Sequence, residues 1–538
     1  MNGVVDRKYW STLVHNGVCL PPPYEYKGLN IHVSGKTYRL TPEAEEMAFA
    51  WVKVMNKKYA SDRLFKENFS KDFFRALPKE LSGVGLEGID FTEVRREYIR
   101  QKISLKRNKR VIRSRRLVRK ELQQRYGYAV VDGRRVRVSN WMVEPPGIFM
   151  GRGDHPLRGR WKPRVVHKDI TLNLGKGVPV PPGNWRKIVH DPYSMWIAKW
   201  TDRLTGKIKY VWLHESSPIR QRKDKEKYDK ALLLAKKIGS VRKKILRSLH
   251  SRDFDTRKVA TACYLIDTLG LRVGDEKDPD EADTVGATTL RVEHVTISPK
   301  RIEFKFLGKD SVEWHKSIPV ARADPQFVKN LQELMKGKSP DDQIFDTVSS
   351  TSVNRFLGRI MPGLTAKVFR TYHATRVVQE FLRKHGSKAR RSNRILKIHY
   401  AKLANLQAAR FCNHKRTIPK SYRNSLRKKR AALERLMSKV PKSEKSRRKL
   451  RQKMLKLDLD LGLLRDTREY NLITSLKNYI DPRIYKAWCV SVGLDWREIY
   501  PKSLRTKFNW VSRTKVGWDR LLQTLDHAPA ALAHVESH

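Results

Sequence analysis

The chain has 538 residues, 39% of them hydrophobic and 9% aromatic, and 114 lysines and arginines against 55 aspartates and glutamates leave a formal charge of +59. The length exceeds what one core serves, so roughly two to four domains are expected, and the charge points to a polyanion, because each neutralised phosphate releases condensed counterions. Nucleic acid is the default partner, with a ribosome or an anionic membrane surface as rivals; no apolar run approaches the about 20 residues that span a bilayer, and the opening MNGVVDRKYWSTLVHNG lacks a secretory core, so an intracellular protein with no membrane partner is expected.

Residues 1–215 are rich in Pro, Gly and Trp, and stretches such as YAVVDGRRVRVSNWMVEPPGIF and IKYVWLHESS read as short strands separated by turns. Within this half, EVRREYIRQKISLKRNKRVIRSRRLVRKELQQRYG reads as one long basic helix on which Ile103, Arg107, Val111, Leu117 and Val118 give only a thin apolar stripe. It is either a solvated helix face or a contact for a phosphate backbone, and the uniform sign of its charge favours the latter.

From residue 216 to 416 the pattern changes to helices around one small antiparallel sheet. RKVATACYLIDTLG predicts a buried helix ended by Gly270. Alternation then predicts one strand around Leu290 and Val292 and a second through Ile302, Phe304 and Phe306, which turns through Leu307 to Asp310 into Val312 and Trp314, with Lys309 at the hairpin tip. VFRTYHATRVVQEFLRKH opens another helix, with Arg370 in its first turn.

Residues 417–469 are nearly all charged or leucine. Leu450, Met454, Leu457, Leu461 and Leu464 make an a/d seam, Leu426, Leu433, Met437 and Val440 a matching stripe, and Pro441 separates the two, which predicts an antiparallel coiled-coil arm mobile against the body. The remainder, 470–538, spaces Trp488, Trp496 and Trp510 through short helical pieces and reads as a small helical domain. Cys19, Cys263, Cys412 and Cys489 form no CxxC pair, so neither disulfides nor zinc are encoded, and they read as small buried hydrophobes.

The chemistry gathers around SLKNYIDPR at 475–483, where Tyr479 stands between an amide and a turn-forming Asp-Pro. A phenol has a pKa of about 10, so roughly one molecule in a thousand is ionised at neutral pH. Two nearby arginines would favour both the phenolate and the added charge on a phosphoryl group under attack, and the planar guanidinium matches two phosphate oxygens at once.

LRVGDEK at 271–277, FLGKDS at 306–311, AKVFRTYHA at 366–374, FCNHKR at 411–416 and SLKNYIDPR resemble, in order, the five active-site segments of eukaryotic-type type IB DNA topoisomerases. EPPGIFMGRGDHPLRGRWK at 144–162 is similar to that family's cap signature and EADTVGATTLRVEH at 281–294 to its core, so the likeness covers about residues 10–514. The resemblance implies a multidomain α+β protein: a mixed DNA-binding cap at 1–215 with two subdomains, a mainly helical catalytic domain at 216–416 with a small antiparallel sheet, as in tyrosine recombinases, a coiled-coil linker at 417–469, and a C-terminal domain at 470–538 carrying the nucleophile.

By the same resemblance Tyr479 matches the nucleophile that becomes joined to a 3′-phosphate, Arg272, Arg370 and His414 the groups that stabilise the five-coordinate transition state, and Lys309 the general acid for the departing 5′-oxygen. Arg152, Asp310 and Asn478 match positions lining the cleavage site and the pocket of camptothecin-type poisons, so sensitivity to such drugs is expected. The implied partner is double-stranded DNA, clamped by a monomer that closes cap and catalytic halves round one duplex, with no cofactor, ATP or obligatory metal. Two positions depart from the family's habit: Met150 where arginine is common, and His373 where asparagine is. The sequence as given opens without the long charged N-terminal extension of the nuclear enzymes, which favours an archaeal member acting on the nucleoid over a nuclear one.

Taken singly these residues have plainer readings. Tyr479 can be an ordinary packed tyrosine, and Arg272 can cap the carbonyls of the helix that ends before it. His414 lies beside Cys412 but lacks the second pair a metal needs. The acidic run from Asp275 to Asp283 lacks the glycine and spacing of a calcium loop and reads as solvated. Two other functions stay open: a tyrosine recombinase or integrase, which shares the chemistry but joins strands of two duplexes, and a non-enzymatic chromatin-type binder, which the charge alone would suit.

Overall fold

The computed structural model describes residues 8–81, 84–151, 155–274, 285–308, 312–515, 517–518 and 536–537. They form a mixed α+β protein, largely helical with small, mostly antiparallel sheets. Two compact units are present, and the boundary between Arg220 and Gln221 falls in the first turn of a long helix. None of the described helices is long and apolar enough to cross a membrane.

The first unit has two cores. In one, the helices Pro42–Val52 and Arg63–Arg75 pack on a sheet of Lys36–Arg39, Asn30–Val33 and Ile89–Asp90. Phe65, Phe69 and Phe73 recur at four-residue spacing, fully buried, with Trp51 stacked 4.8 Å from Phe69. Met150, half-buried, packs at the edge of this core. The other core lies under a sheet ordered Lys187–Val189, Ile170–Asn173, Trp196–Thr201, Ile208–Trp212 and a second of Leu13–His15, Tyr128–Val131 and Arg134–Arg137. The last two strands join through Asp132 and Gly133, both at positive φ, the turn that Asp-Gly favours between right-twisted strands.

The basic segment of this unit is two helices rather than one, α1 at Thr92–Arg107 and α2 at Lys109–Tyr126. Asn108 makes the break: its backbone leaves helical geometry at ψ 105° while its side chain accepts from the amides of Arg110 and Val111, a helix start inside the basic run. No residue of α2 is buried, and Leu117 and Val118 are half exposed.

The second unit opens with α3, Pro218–Leu249, and α4, Phe254–Leu269. Asp253 caps α4 through the Thr256 amide, and from Ala260 to Leu269 every residue is buried. Three antiparallel strands follow, β1 Val295–Ile297, β2 Arg301–Gly308 and β3 Val312–Pro319, with residues 536–537 pairing along the outer edge of β3. The hairpin is in register from Arg301↔Pro319 to Gly308↔Val312, so Leu307 and Gly308 belong to the strand. The strand expected around Leu290 and Val292 starts only at Val295. His294 Nδ1 accepts the Arg291 amide and closes a tight turn, and Leu290 is buried in the core just ahead of it.

Helices α5 Pro325–Met335, α6 Ser350–Ile360 and α7 Ala366–Arg391 complete the first core of this unit. A second core joins α7 and α8, Arg394–Phe411, to the C-terminal helices α11, Leu472–Asn478, and α12, Pro482–Val492, with Trp488 and Trp496 buried among them. Between α8 and α11 lies a helical hairpin, α9 Tyr422–Met437 and α10 Glu444–Asp466, turned through Pro441 and restarted by a Ser443 cap. The seam of α10 is half-buried at Leu450, Met454, Leu457 and Leu464, and buried at Leu461. Met437 and Val440 do not oppose it, being 65% and 91% exposed: Met437 is the last residue of α9 and Val440 lies beyond it, while Leu436 is half-buried. At its base the hairpin is tied to the body by Lys402 on Asp460 and by the Arg416 amide on the Glu469 carbonyl.

Candidate active site

Helix α4 ends at Gly270 in the left-handed conformation, φ 65°, where a Cβ would come within 2.6 Å of the Phe411 ring. The chain therefore leaves α4 against the end of α8 and presents Leu271 and Arg272. At the end of α8, Cys412 caps the helix and Asn413 takes φ 50°, with its side-chain amide donating 2.9 Å to the Glu313 carbonyl of β3. That left-handed step turns His414 into the interior.

Helix α7 starts at Ala366, so Arg370 opens its second turn rather than sitting in its first. The Arg370 guanidinium is buried; it donates through Nη1 to the Gly270 carbonyl and through Nη2 to the Cys412 carbonyl at 3.0 Å. It thereby bridges the C-terminal ends of α4 and α8, where the helix dipoles are negative. One turn on, Thr375 accepts the Asp481 amide at 3.1 Å and donates to the Tyr479 carbonyl at 3.3 Å, fixing the backbone on both sides of Ile480. From α8, Asn405 donates to the Leu472 carbonyl and accepts from Ser475, which anchors α11. Below, Asp481 caps α12 and pairs with the buried Arg483, which also reaches Asp229 of α3 at 2.6 Å.

These anchors set Tyr479, the residue closing α11, at the meeting point. The Arg370 guanidinium carbon lies 5.1 Å from its ring centroid, and the His414 ring lies 5.2 Å away at 34°. Arg272, half-buried, stands near enough to act electrostatically on both His414 and Cys412. Burial first, then Arg370 and Arg272, push the His414 imidazole down to about 3, so it is neutral and carries one N–H to give. Among the described residues, Arg370 Nε, His414 Nδ1 and His414 Nε2 are buried with no hydrogen-bond partner. Buried polar atoms are seldom left so, and here the Nε–H of Arg370 and the one N–H of the neutral His414 ring are two donors beside one tyrosine with no acceptor.

Tyr479, Arg370, His414 and Arg272 are thus brought together, and Asn478 is half-buried next to Tyr479. Lys309 and Asp310 lie outside the described residues, but Gly308 and Val312 on either side line the same small cleft as Arg272, Arg370 and Asn413. Arg152 and the acidic run 275–283 also lie outside the described residues. Among the described residues no cluster of His, Cys, Asp and Glu could hold a metal. The four cysteines are buried and unpaired.

Two groups here escape the sequence reading. His373 hydrogen-bonds Asp267 at 2.8 Å, and Asp267 is held by Arg242 at 2.7 Å, a buried triad tying α7, α4 and α3 together. Asp267, buried yet doubly partnered, is held well below the usual carboxylate range. The second is Lys316, which shares the apolar face of β3 with Trp314 and Ile318; its period-two position was a readable signal. Lys316 and Arg370 hold the Leu269 and Gly270 carbonyls at the end of α4.

Known proteins resemble this chain along most of its length. The family described as "Eukaryotic DNA topoisomerase I, DNA binding fragment" matches residues 8–213, its "catalytic core" residues 216–447, and a "C-terminal topoisomerase domain" residues 451–520. DNA topoisomerase 1 beta of Arabidopsis thaliana is 37% identical over 545 residues, covering 94% of this chain and 58% of the relative. DNA topoisomerase 1 alpha of the same plant is 36% identical, again with 58% of its length spanned. DNA topoisomerase 1 of Homo sapiens is 34% identical over 546 residues, 93% of this chain and 70% of the human protein. The chain belongs to the eukaryotic DNA topoisomerase I family.

Proposed function

We propose that the protein is a type IB DNA topoisomerase, which relaxes positive and negative supercoils by cutting one strand, letting the free end rotate, and resealing it. Tyr479 Oη attacks a phosphodiester, forms a 3′-phosphotyrosyl bond as the 5′-oxygen departs, and is displaced when the 5′-hydroxyl returns. The five-coordinate phosphorus carries extra negative charge, which Arg272 and Arg370 meet with guanidinium groups and His414 with its neutral N–H. Lys309 gives the departing 5′-oxygen its proton. One phosphoester replaces another, so no ATP is consumed, and the chain contains no GxxxxGK[ST] loop.

In this reading residues 1–215 are the DNA-binding cap with α1 and α2 as phosphate contacts, 216–416 the catalytic core, 417–469 a coiled-coil linker that brakes rotation, and 470–538 the domain carrying the nucleophile. Arg152, Asp310 and Asn478 line the cleavage site and a camptothecin pocket. The protein acts as a monomer on one duplex, inside the cell and on the chromosome.

The observation that carries the reading is that Arg370 Nε and the His414 ring nitrogens are buried without partners on two side chains that lie beside Tyr479. A non-bridging phosphate oxygen can accept from Arg370 Nε and from the single N–H of the neutral His414 ring. The test is a supercoiled plasmid without special sites, together with an end-labelled duplex on denaturing gels. The wild type relaxes the one and becomes covalently joined to the other through the 3′ end. Tyr479→Phe, which removes a single oxygen, binds DNA as before and does neither. Relaxation by Tyr479→Phe at the wild-type rate would overturn the assignment, and a requirement for paired sites would point to a recombinase.

A further inference from the structure

Lys316 is a charged side chain that the mechanism above does not use. It is 2% exposed, and its Nζ donates to the Leu269 carbonyl at 3.2 Å and the Phe411 carbonyl at 2.7 Å. These are the residues immediately before Gly270 and Cys412, whose carbonyls Arg370 holds. Two cations on neighbouring elements therefore grip consecutive carbonyls at the ends of the same two helices. The ammonium also lies 5.2 Å from the Trp314 ring and 4.9 Å from the Phe411 ring, both of which favour a cation. Just beyond the gripped carbonyls the chain delivers Arg272 from α4 and His414 from α8.

Resting on the topoisomerase reading of this site, we propose that Lys316 is a positioning residue whose ammonium fastens the ends of α4 and α8 so that Arg272 and His414 face the phosphate held by Tyr479. It touches neither substrate nor the reacting atoms. Its grip depends on charge, because an ammonium gives stronger hydrogen bonds than a neutral amine and spends its third N–H on the ring faces. The groups facing it are Cys412 at the end of α8, Arg370 on α7 and Lys415 beyond α8. Burial lowers its pKa from that of an ordinary lysine to about 7, the Cys412 thiol raises it, and Arg370 and Lys415 lower it further. Lysine is the charged form below its pKa, so the grip is full at lower pH and weakens as pH rises through that value.

The experiment follows single-turnover cleavage from pH 6 to 9.5 with a duplex in which sulfur replaces the departing 5′-oxygen. A thiolate leaves without a proton, so the titration of Lys309 drops out of the profile. The wild-type rate should fall on an alkaline limb by about tenfold. K316M should sit about tenfold low at pH 6 and lack that limb, with DNA affinity within twofold because the side chain meets no DNA. K316R, permanently charged, should hold its rate across the range. If K316M is folded and keeps both the wild-type rate and limb, the inference fails. If K316M does not fold, K316R decides, a profile matching the wild type overturning it. If neither folds, a wild-type profile with no alkaline limb overturns it and a fall of about tenfold supports it. Absence of any wild-type adduct would instead sink the topoisomerase reading itself, so the two failures are distinguishable.

Discussion

Arg370 does two jobs with different atoms, and substitution can separate them. Nη1 and Nη2 bridge the Gly270 and Cys412 carbonyls, a structural task, while Nε is buried with no partner on a guanidinium 5.1 Å from the Tyr479 ring. Each carbonyl bond from a charged donor contributes about 1.5–3 kcal/mol to stability. A preorganised donor aimed at developing charge contributes about 2.7–4 kcal/mol to the barrier, or roughly 10²–10³ in rate. Arg370→Ala loses both. Arg370→Lys keeps a cation on a flexible stem that can reach one or both carbonyls, so most stability returns, but nothing replaces Nε or the fixed fork. Thermal unfolding should therefore rank wild type slightly above lysine and well above alanine, while the rate of covalent adduct formation, measured in single turnover, should put lysine and alanine together at about 10²-fold or more below wild type. DNA affinity at fixed salt should barely change. Recovery of cleavage by Arg370→Lys to within tenfold of wild type would show that bare charge suffices and that the orphaned Nε is not spent on phosphate.

The remaining predictions concern buried groups inside each of the two units. Asp267→Asn leaves Arg242 and His373 buried around a neutral amide and should cost about 3–5 kcal/mol, read as a lowered Tm; a Tm within a degree of wild type would contradict the structural weight given to this triad. His15 is pulled down to about 4 by burial, with Nε2 bonded to the Asn173 carbonyl and Nδ1 accepting the Gly17 amide. Its folded pKa lies below the unfolded value, so between pH 6.5 and 4 the unfolded chain binds more protons and stability falls as pH falls, by up to about 3 kcal/mol. His15→Gln has no such titration, and the stability difference between wild type and variant should shrink by that amount from pH 7 to 4, a constant difference being the refuting result.

Much of this was legible in the residues, and the failures have local causes. Period and punctuation sufficed for α4 and its glycine stop, and for the β2–β3 hairpin. The basic run was read as one helix because its charges are continuous, yet Asn108 competes for the backbone and restarts it. A leucine count placed Met437 and Val440 on the seam of α9, although helix length decides which residues complete the last turn. His373 had no reading because its meaning lies in Asp267, 106 positions away. The supports of the site were hidden for a deeper reason: Arg370 and Lys316 act on main-chain carbonyls, which every residue has and no motif can spell. Only a lysine on the apolar alternation of β3, between Trp314 and Ile318, hinted at the arrangement.

That arrangement also answers how several cations can stand so close without substrate. Arg370, Lys316 and Arg272 near one histidine would repel one another in a dry site, and the lowered pKa values of His414 and Lys316 register that repulsion alongside burial. The opposing charge comes from the backbone: α4 and α8 both end here, and four of their terminal carbonyls, those of Leu269, Gly270, Phe411 and Cys412, receive the two buried cations. Helix ends carry only partial charge and sit on rigid elements, so they hold the cations without neutralising them. A carboxylate in the same place would pair fully with Arg370 and compete with the phosphate for its remaining N–H groups. Building the cradle from carbonyls leaves positive potential for a phosphodiester, and leaves Nε of Arg370 and the His414 ring the directions in which it can be met.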